Sequence, residues 1–208
     1  MSIRYLIYTT IFLGLLALFC YYRVDLPNLL SVSLLRQEQP IIIKLSAIIQ
    51  ALFHFIIWLG LSCLFLLIGY CRKKSFKQFM QKKTTQFWLG IIFSMSICGV
   101  LKIIIGRYRP EMFLTHHLFG FVGLTMKDSF HSMPSDHTVL LFSIATTLGY
   151  FLRSKTAYFF LYLLAFICAA SRVVLYRHYP SDVLTGALVG MWGSYFAYYF
   201  CNLFRRTT

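Results

Sequence analysis

The sequence predicts an all-α integral membrane protein, a bundle of six transmembrane helices with its active site at the outer membrane face. Three observations point there. The 208 residues are 59% hydrophobic and only 12% charged, with mean hydropathy +0.70, whereas a soluble domain carries roughly 25% charged residues. Apolar runs approach or reach the roughly 20 residues that a helix needs to cross the hydrocarbon core. The ionisable residues gather in breaks between those runs. Residues 1–208 read as one domain, because the length suits a single compact bundle.

The first run, Ile3–Tyr22, is too long for the apolar part of a secretory signal and lacks a small-residue cleavage site, so it reads as a span. A polar connection with Pro27, Asn28, Arg36, Glu38 and Pro40 leads to a second span within Ile41–Tyr70, starting after Lys44. The most basic segment, Cys71–Lys83, precedes the third span, Phe87–Ile105. A long connection, Gly106–Met133, leads to the fourth, Pro134–Phe151. Pro134 is expected in the first helical turn, where its missing N–H costs nothing. Tyr158–Val174 and Pro180–Phe204 complete the six.

The net charge of +14 comes from 20 Lys and Arg against 6 Asp and Glu. In a soluble chain this would suggest nucleic acid. Here the basic residues are scattered between apolar spans, so no nucleic-acid partner is expected. The charge reads as cytoplasmic loops, together with cations for an anionic substrate. The heavier basic set, with Arg4, the Arg72–Lys83 segment, Arg153, Lys155, Arg205 and Arg206, falls on the side of both termini. Both termini are therefore expected in the cytoplasm and the polar clusters outside. Cys20, Cys63, Cys71, Cys98, Cys168 and Cys201 form no CxxC pair and read as small buried hydrophobes.

Three clusters carry the chemistry: Lys102-x6-Arg109-Pro110, then Pro134-Ser135-Asp136-His137, then Ser171-Arg172-x5-His178-x3-Asp182. The span count brings four helix ends, and with them all three clusters, to one face. Arg offers forked donors that match phosphate oxygens, and Lys a compact charge. The start of the fourth span adds free backbone N–H groups and the positive end of a helix dipole. His178 and Asp182 lie four apart across a helix start. The carboxylate can hold one ring nitrogen and leave the other to attack phosphorus, with His137 protonating the leaving oxygen. No carboxylate cluster exists for Mg²⁺, so the cations must stabilise the transferring charge and no metal or other cofactor is expected.

These motifs resemble the type-2 phosphatidic acid phosphatase family of integral membrane lipid phosphatases, relatives of the vanadium haloperoxidases. The family pattern is K-x6-RP, PSGH and SR-x5-H-x3-D, and the spacing agrees from Lys102 to Asp182. The resemblance implies that Lys102, Arg109, Ser135, His137 and Arg172 bind phosphate. It implies that His178 is the nucleophile through a phosphohistidine, that Asp182 orients it and that His137 is the acid. Asp136 departs from the pattern, standing where the family has glycine. Its backbone N–H can still meet phosphate, so it counts among the phosphate-binding residues. Its carboxylate, which would repel phosphate, is expected to face away and stabilise the helix start by a few tenths to about 1 kcal/mol.

A PSDH form also resembles bacterial undecaprenyl-diphosphatases of the bacitracin-resistance type. That favours undecaprenyl diphosphate over phosphatidylglycerophosphate, phosphatidic acid and lipid A 1-phosphate.

Lesser signals weigh less. His116, His117 and His131 have poor metal spacing and no accompanying acid; His131 lies close enough to Ser135 to touch a head group. His54 reads as a packed or interfacial histidine. Arg107 and Arg177 stand open between supporting charge and head-group contact, with Glu111 and Asp128 solvated or paired with them. Phe113, Leu114, Leu118, Phe119 and Phe121 make the long connection apolar enough to lie on the membrane beside a lipid tail. The combined expectation is a bacterial inner-membrane lipid phosphatase whose partners are a lipid phosphate and the bilayer. The alternatives are a lipid phosphotransferase and a non-catalytic anion or lipid transporter, the last of which leaves the two histidines and Asp182 unexplained.

Overall fold

A computed structural model of the chain describes residues 3–52, 54–71 and 83–206. Every long element is helical: α1 (Ile3–Arg23), α2 (Asp25–Glu38), α3 (Pro40–Leu52), α4 (Phe55–Cys71), α5 (Lys83–Ile105), α6 (Pro110–His116), α7 (Asp136–Leu152), α8 (Lys155–Val174) and α9 (Pro180–Arg206), with a 3-10 turn at Asp128–Phe130. Among the described residues there are two isolated bridges and no strands. Among the described residues, three helices are long and apolar enough to cross a membrane: Ile3–Arg23, Lys83–Ile105 and Lys155–Val174. The basic residues between 72 and 82 lie outside the described residues.

Several boundaries differ from those the hydropathy predicts. The polar connection after the first run is itself helical, as α2. Pro27 is tolerated there because it sits in the first turn, whose N–H groups have no intrahelical partner. The second run, Ile41–Tyr70, holds two helices, and His54 between them is not helical. Hydropathy averages over such a break because both flanks are apolar. Pro134 lies outside α7, not in its first turn: the helix starts at Asp136 with Ser135 as N-cap, and the Met133–Pro134 peptide bond is cis.

The site-bearing helices are fixed by close packing on α9, which contacts α1, α5, α7 and α8. Small residues make this possible. A Cβ on Gly186 would lie 2.8 Å from the Ser135 carbonyl oxygen, and one on Gly190 would lie 2.5 Å from that of Val139. Such stripes let helix backbones approach where lipid offers no hydrophobic drive. Buried hydroxyls bridge the same interfaces: Ser143 and Ser194 are 2.9 Å apart, and Ser94 donates to the Gly190 carbonyl at 3.2 Å.

Helix α7 is buried on two sides. Leu141, Phe142 and Ala145 pack with Ala165, Ala169, Val183 and Ala187, while Val139 and Leu140 pack with Ile91, Met95 and Cys98. Its N-terminus is thereby held rigidly at one end of the bundle. Outward, α1 and α8 expose Tyr5, Phe12, Leu15, Phe159, Phe160 and Leu164, an apolar surface too large for a water-facing protein and suited to lipid. Cys20, Cys98, Cys168 and Cys201 are buried as the sequence suggests, but Cys63 and Cys71 on α4 are exposed; all are free thiols.

Candidate active site

Four helix ends meet at one end of the bundle: the last turns of α5 and α8 and the first turns of α7 and α9. They bring Lys102, Arg172, the Ser135–His137 segment and Asp182 around His178. Lys102 Nζ donates to the His131 carbonyl at 2.7 Å. Buried Ser135 donates its backbone N–H to the Asp182 carbonyl at 3.1 Å, tying α7 to α9, and its hydroxyl accepts from Thr138 Oγ1 at 3.1 Å.

His178 is fully buried and its tautomer follows from its partner. Nδ1 lies 2.7 Å from the Ser132 carbonyl oxygen, which can only accept. The proton is therefore on Nδ1, and in the neutral ring the lone pair is on Nε2. The sequence assigned this bond to Asp182. Asp182 Oδ2 is instead 3.8 Å from Nδ1, too far for a direct hydrogen bond. It accepts from Ser132 Oγ at 2.6 Å and from the Tyr179 backbone N–H at 2.8 Å. Asp182 thus acts on His178 through Ser132, by fixing the residue whose carbonyl fixes the ring.

Other buried nitrogens at these helix ends also lack a protein partner. Among the described residues, Arg172 Nε and Nη1, His137 Nε2 and His178 Nε2 are buried side-chain nitrogens with no hydrogen bond. An unmatched buried donor costs about 1–3 kcal/mol, so the free donors of Arg172 are available to an oxyanion. No group of three or more His, Cys, Asp or Glu among the described residues is arranged to hold a metal.

Asp136 does not face away. Its Oδ1 accepts from the His137 backbone N–H at 3.0 Å, which supports the helix start as expected. The same oxygen lies 3.2 Å from His137 Nδ1 and 3.5 Å from His178 Nε2. The carboxylate therefore turns into the site, where the Nδ1–H of His137 and the positive charges of Lys102 and Arg172 attract it.

The two arginines of the first motif separate sharply. Arg107 is completely buried. It donates from Nη2 to Asp25 Oδ2 at 2.6 Å and from Nη1 to Ser181 Oγ at 2.6 Å, and it pairs with Asp182 Oδ1. Its guanidinium lies 4.5 Å from the Tyr179 ring centroid and 5.1 Å from that of Tyr21. Burial works against the cation, yet Asp182 and Asp25 outweigh it and hold Arg107 above its ordinary range. Arg107 is thus a supporting charge and makes no head-group contact.

Arg109 is at the rim, its Nη2 3.2 Å and 3.3 Å from the two Asp128 carboxylate oxygens. Arg177 pairs with Glu111 at 3.1 Å on the surface.

Sequence reasoning missed Asp25, Ser132 and Ser181. Ser181 also binds Asp25, through its backbone N–H at 3.1 Å and its hydroxyl at 2.5 Å. The available signal was slight: Asp25 is one of only 6 acids and lies just beyond the first apolar run, after Arg23 and Val24. His131 spends its ring on the Thr125 carbonyl at 3.0 Å, shaping the loop. His116 and His117 are exposed on and beside α6. His54 stacks edge-on against His137, ring centroids 6.0 Å apart.

The sequence profile described as PAP2 superfamily matches residues 83–206. A lipid A 1-phosphatase of Rhizobium johnstonii is 35% identical over 118 residues, covering 51% of this chain and 46% of the relative. The bacitracin transport permease protein BcrC of Bacillus licheniformis is 33% identical over 121 residues, covering 56% of this chain and 58% of the relative. The chain therefore spans about half the length of these curated relatives. In fold it is similar to the crystal structure of a transmembrane PAP2-type phosphatidylglycerolphosphate phosphatase from Bacillus subtilis, with TM-score 0.59, 20% identity and 94% of each chain covered.

Proposed function

The chain belongs to the PAP2 superfamily, and on that footing we propose that it is a membrane lipid phosphatase working through a phosphohistidine. The observation that carries this reading is the state of His178, with Nδ1 engaged by the Ser132 carbonyl and the Nε2 lone pair free beside unmatched donors.

The proposed chemistry uses the groups at these helix ends. The terminal phosphoryl group takes the donors of Arg172, Lys102, Arg109 and Ser135 and the N–H groups at the start of α7. His178 Nε2 attacks phosphorus, and the bond to the lipid-side oxygen breaks. That oxygen takes the proton of His137 Nε2 as it leaves. Water, deprotonated by the now neutral His137, then cleaves the phosphorus–nitrogen bond and releases phosphate. Charge on the transferring group is met by fixed cations in a buried site, where such donors act most strongly.

We further infer the substrate class. An apolar groove of about 450 Å³ between α1, α8 and α9 includes Val183 and Leu184, directly after Asp182, with Phe12, Leu16 and Phe166. It suits the chain of a lipid phosphate. Undecaprenyl diphosphate is the favoured substrate, supported by the PSDH form and by likeness to a bacitracin-related protein. Lipid A 1-phosphate and phosphatidylglycerophosphate come next. The proposed setting is a bacterial inner membrane crossed by six spans, with both termini inside and the site outside. Labelling of a cysteine placed at Lys127 by an impermeant outside reagent tests the orientation, and reaction only from the inside reverses it.

The activity is tested by phosphate release from these lipids by the purified protein in the presence of a metal chelator. Release that is lost in His178→Ala supports the reading. Full turnover by that variant, or a strict divalent-metal requirement, refutes it. A phosphorylated second lipid in place of free phosphate would identify a transferase instead.

A further inference from the structure

The carboxylate of Asp136 has no task in the reaction just described, yet it sits at the reacting centre. In a near-attack geometry the reacting atoms stand about 3–3.5 Å apart. Phosphorus must therefore occupy the space in front of His178 Nε2, where Asp136 Oδ1 already lies at 3.5 Å. The same oxygen takes an N–H of His137, the proposed acid, at 3.2 Å. Lys102 and Arg172 are the cations whose fields reach it. A carboxylate oxygen among two imidazoles, a lysine and an arginine is held as a phosphoryl oxygen would be. Two negative groups cannot share that space without strong repulsion. The Asp136 side chain is 16% exposed, so it has a path outward by side-chain rotation.

We propose that Asp136 is a built-in competing anion, a specificity-determining residue whose carboxylate holds the phosphoryl position between His137 and His178 until a substrate displaces it. The proposal rests on the phosphatase reading of the site. It distinguishes substrate from product by binding energy. A lipid phosphate brings the contacts of its chain, and energy from such remote parts can drive displacement at the reacting centre. Inorganic phosphate has no chain, competes on charge alone and is expelled. The enzyme thereby resists inhibition by its own product and by free oxyanions, at the cost of weaker head-group binding. A glycine at this position leaves the oxyanion donors uncontested.

The test is binding, not turnover, so it stands apart from the chemistry. Inorganic phosphate is titrated into the purified full-length protein and followed by phosphorus NMR line broadening, with orthovanadate as a second probe. Asp136→Asn and Asp136→Gly should each tighten phosphate binding at least fivefold, about 1 kcal/mol. A smaller change, or weaker binding, in either folded variant overturns the proposal. Asp136→Gly decides alone if the asparagine variant does not fold. Arg172→Ala is the control for the underlying reading: it should weaken phosphate binding at least tenfold in the otherwise unchanged protein. If it does not, the phosphate site itself is wrong. If it does while the Asp136 variants leave binding unchanged, only the competing-anion role fails.

Discussion

Arg107 and Arg109 stand two residues apart in one motif and have opposite surroundings. Arg107 is sealed between Asp25 and Asp182, all three with no exposed side-chain surface. Arg109 is 16% exposed and faces Asp128, which is 89% exposed. The first pair of contacts links α2 and α9 through the loop after α5, so Arg107 holds the frame in which Asp182 and Ser132 position His178. The second contact can be exchanged for a ligand at little cost. The difference shows that charge density near a site does not identify ligands. Burial and prior engagement of the charge decide whether it supports the site or binds at it.

The backbone around Arg107 reinforces this division. Residue 107 bridges to both Phe121 and His131, and Ser132 N–H donates to its carbonyl at 3.2 Å. Gly106 before it has φ +51, and a Cβ there would collide with the Gly123 carbonyl oxygen, so only glycine suits the turn. The long connection is therefore a folded element clamped at its start, and Arg109 emerges from it at the rim.

The contrast can be broken by four substitutions, in order of expected effect. Arg107→Ala leaves two buried carboxylates without their cation and should cost about 3–5 kcal/mol of stability, seen as a large drop in thermal unfolding temperature in detergent. If it unfolds no earlier than Arg109→Ala, the structural role of Arg107 is wrong. Arg109→Ala should instead keep the unfolding temperature and lower kcat/KM by about 10²–10³, the scale for losing one preorganised donor. Equal losses of stability and rate would merge the two arginines into one class.

Asp25→Asn keeps the shape but removes one charge from a buried pair, and should cost about 1–3 kcal/mol although Asp25 lies far outside the motifs. No shift on thermal unfolding would show the Asp25 contact to be dispensable. Asp128→Ala should change stability by less than about 1 kcal/mol, as for exposed ion pairs, with any effect fading in salt. A loss comparable to Arg107→Ala would mean that the rim contact is structural after all.

Much of this was legible in the sequence, for reasons tied to particular residues. Hydropathy is additive along the chain, so α1, α5, α8 and α9 emerge nearly at the expected ends. Motif spacing is local too, and Lys102, Ser135, His137, Arg172, His178 and Asp182 lie at the helix ends to which that spacing points. What was hidden depends on pairing across distance. The break at His54 lies between two apolar flanks that hydropathy cannot separate. Asp25 finds Arg107 and Ser181 only after α1 packs on α9. The Ser132 carbonyl reaches His178 through a fold of the loop, and a backbone acceptor has no sequence signature. The inward turn of Asp136 was misread because charge repulsion was weighed against phosphate alone, without the His137 N–H and the neighbouring cations that attract the carboxylate.

The central claim is that His178 carries the phosphoryl group. The most direct measurement is a single-turnover reaction with a lipid phosphate labelled in its terminal phosphate, run with a metal chelator, quenched in alkali and mapped by peptide. The expected result is label on His178, absent in His178→Ala and accumulating when the second step is slowed. Label on another residue, or normal turnover with no label on His178, would contradict it.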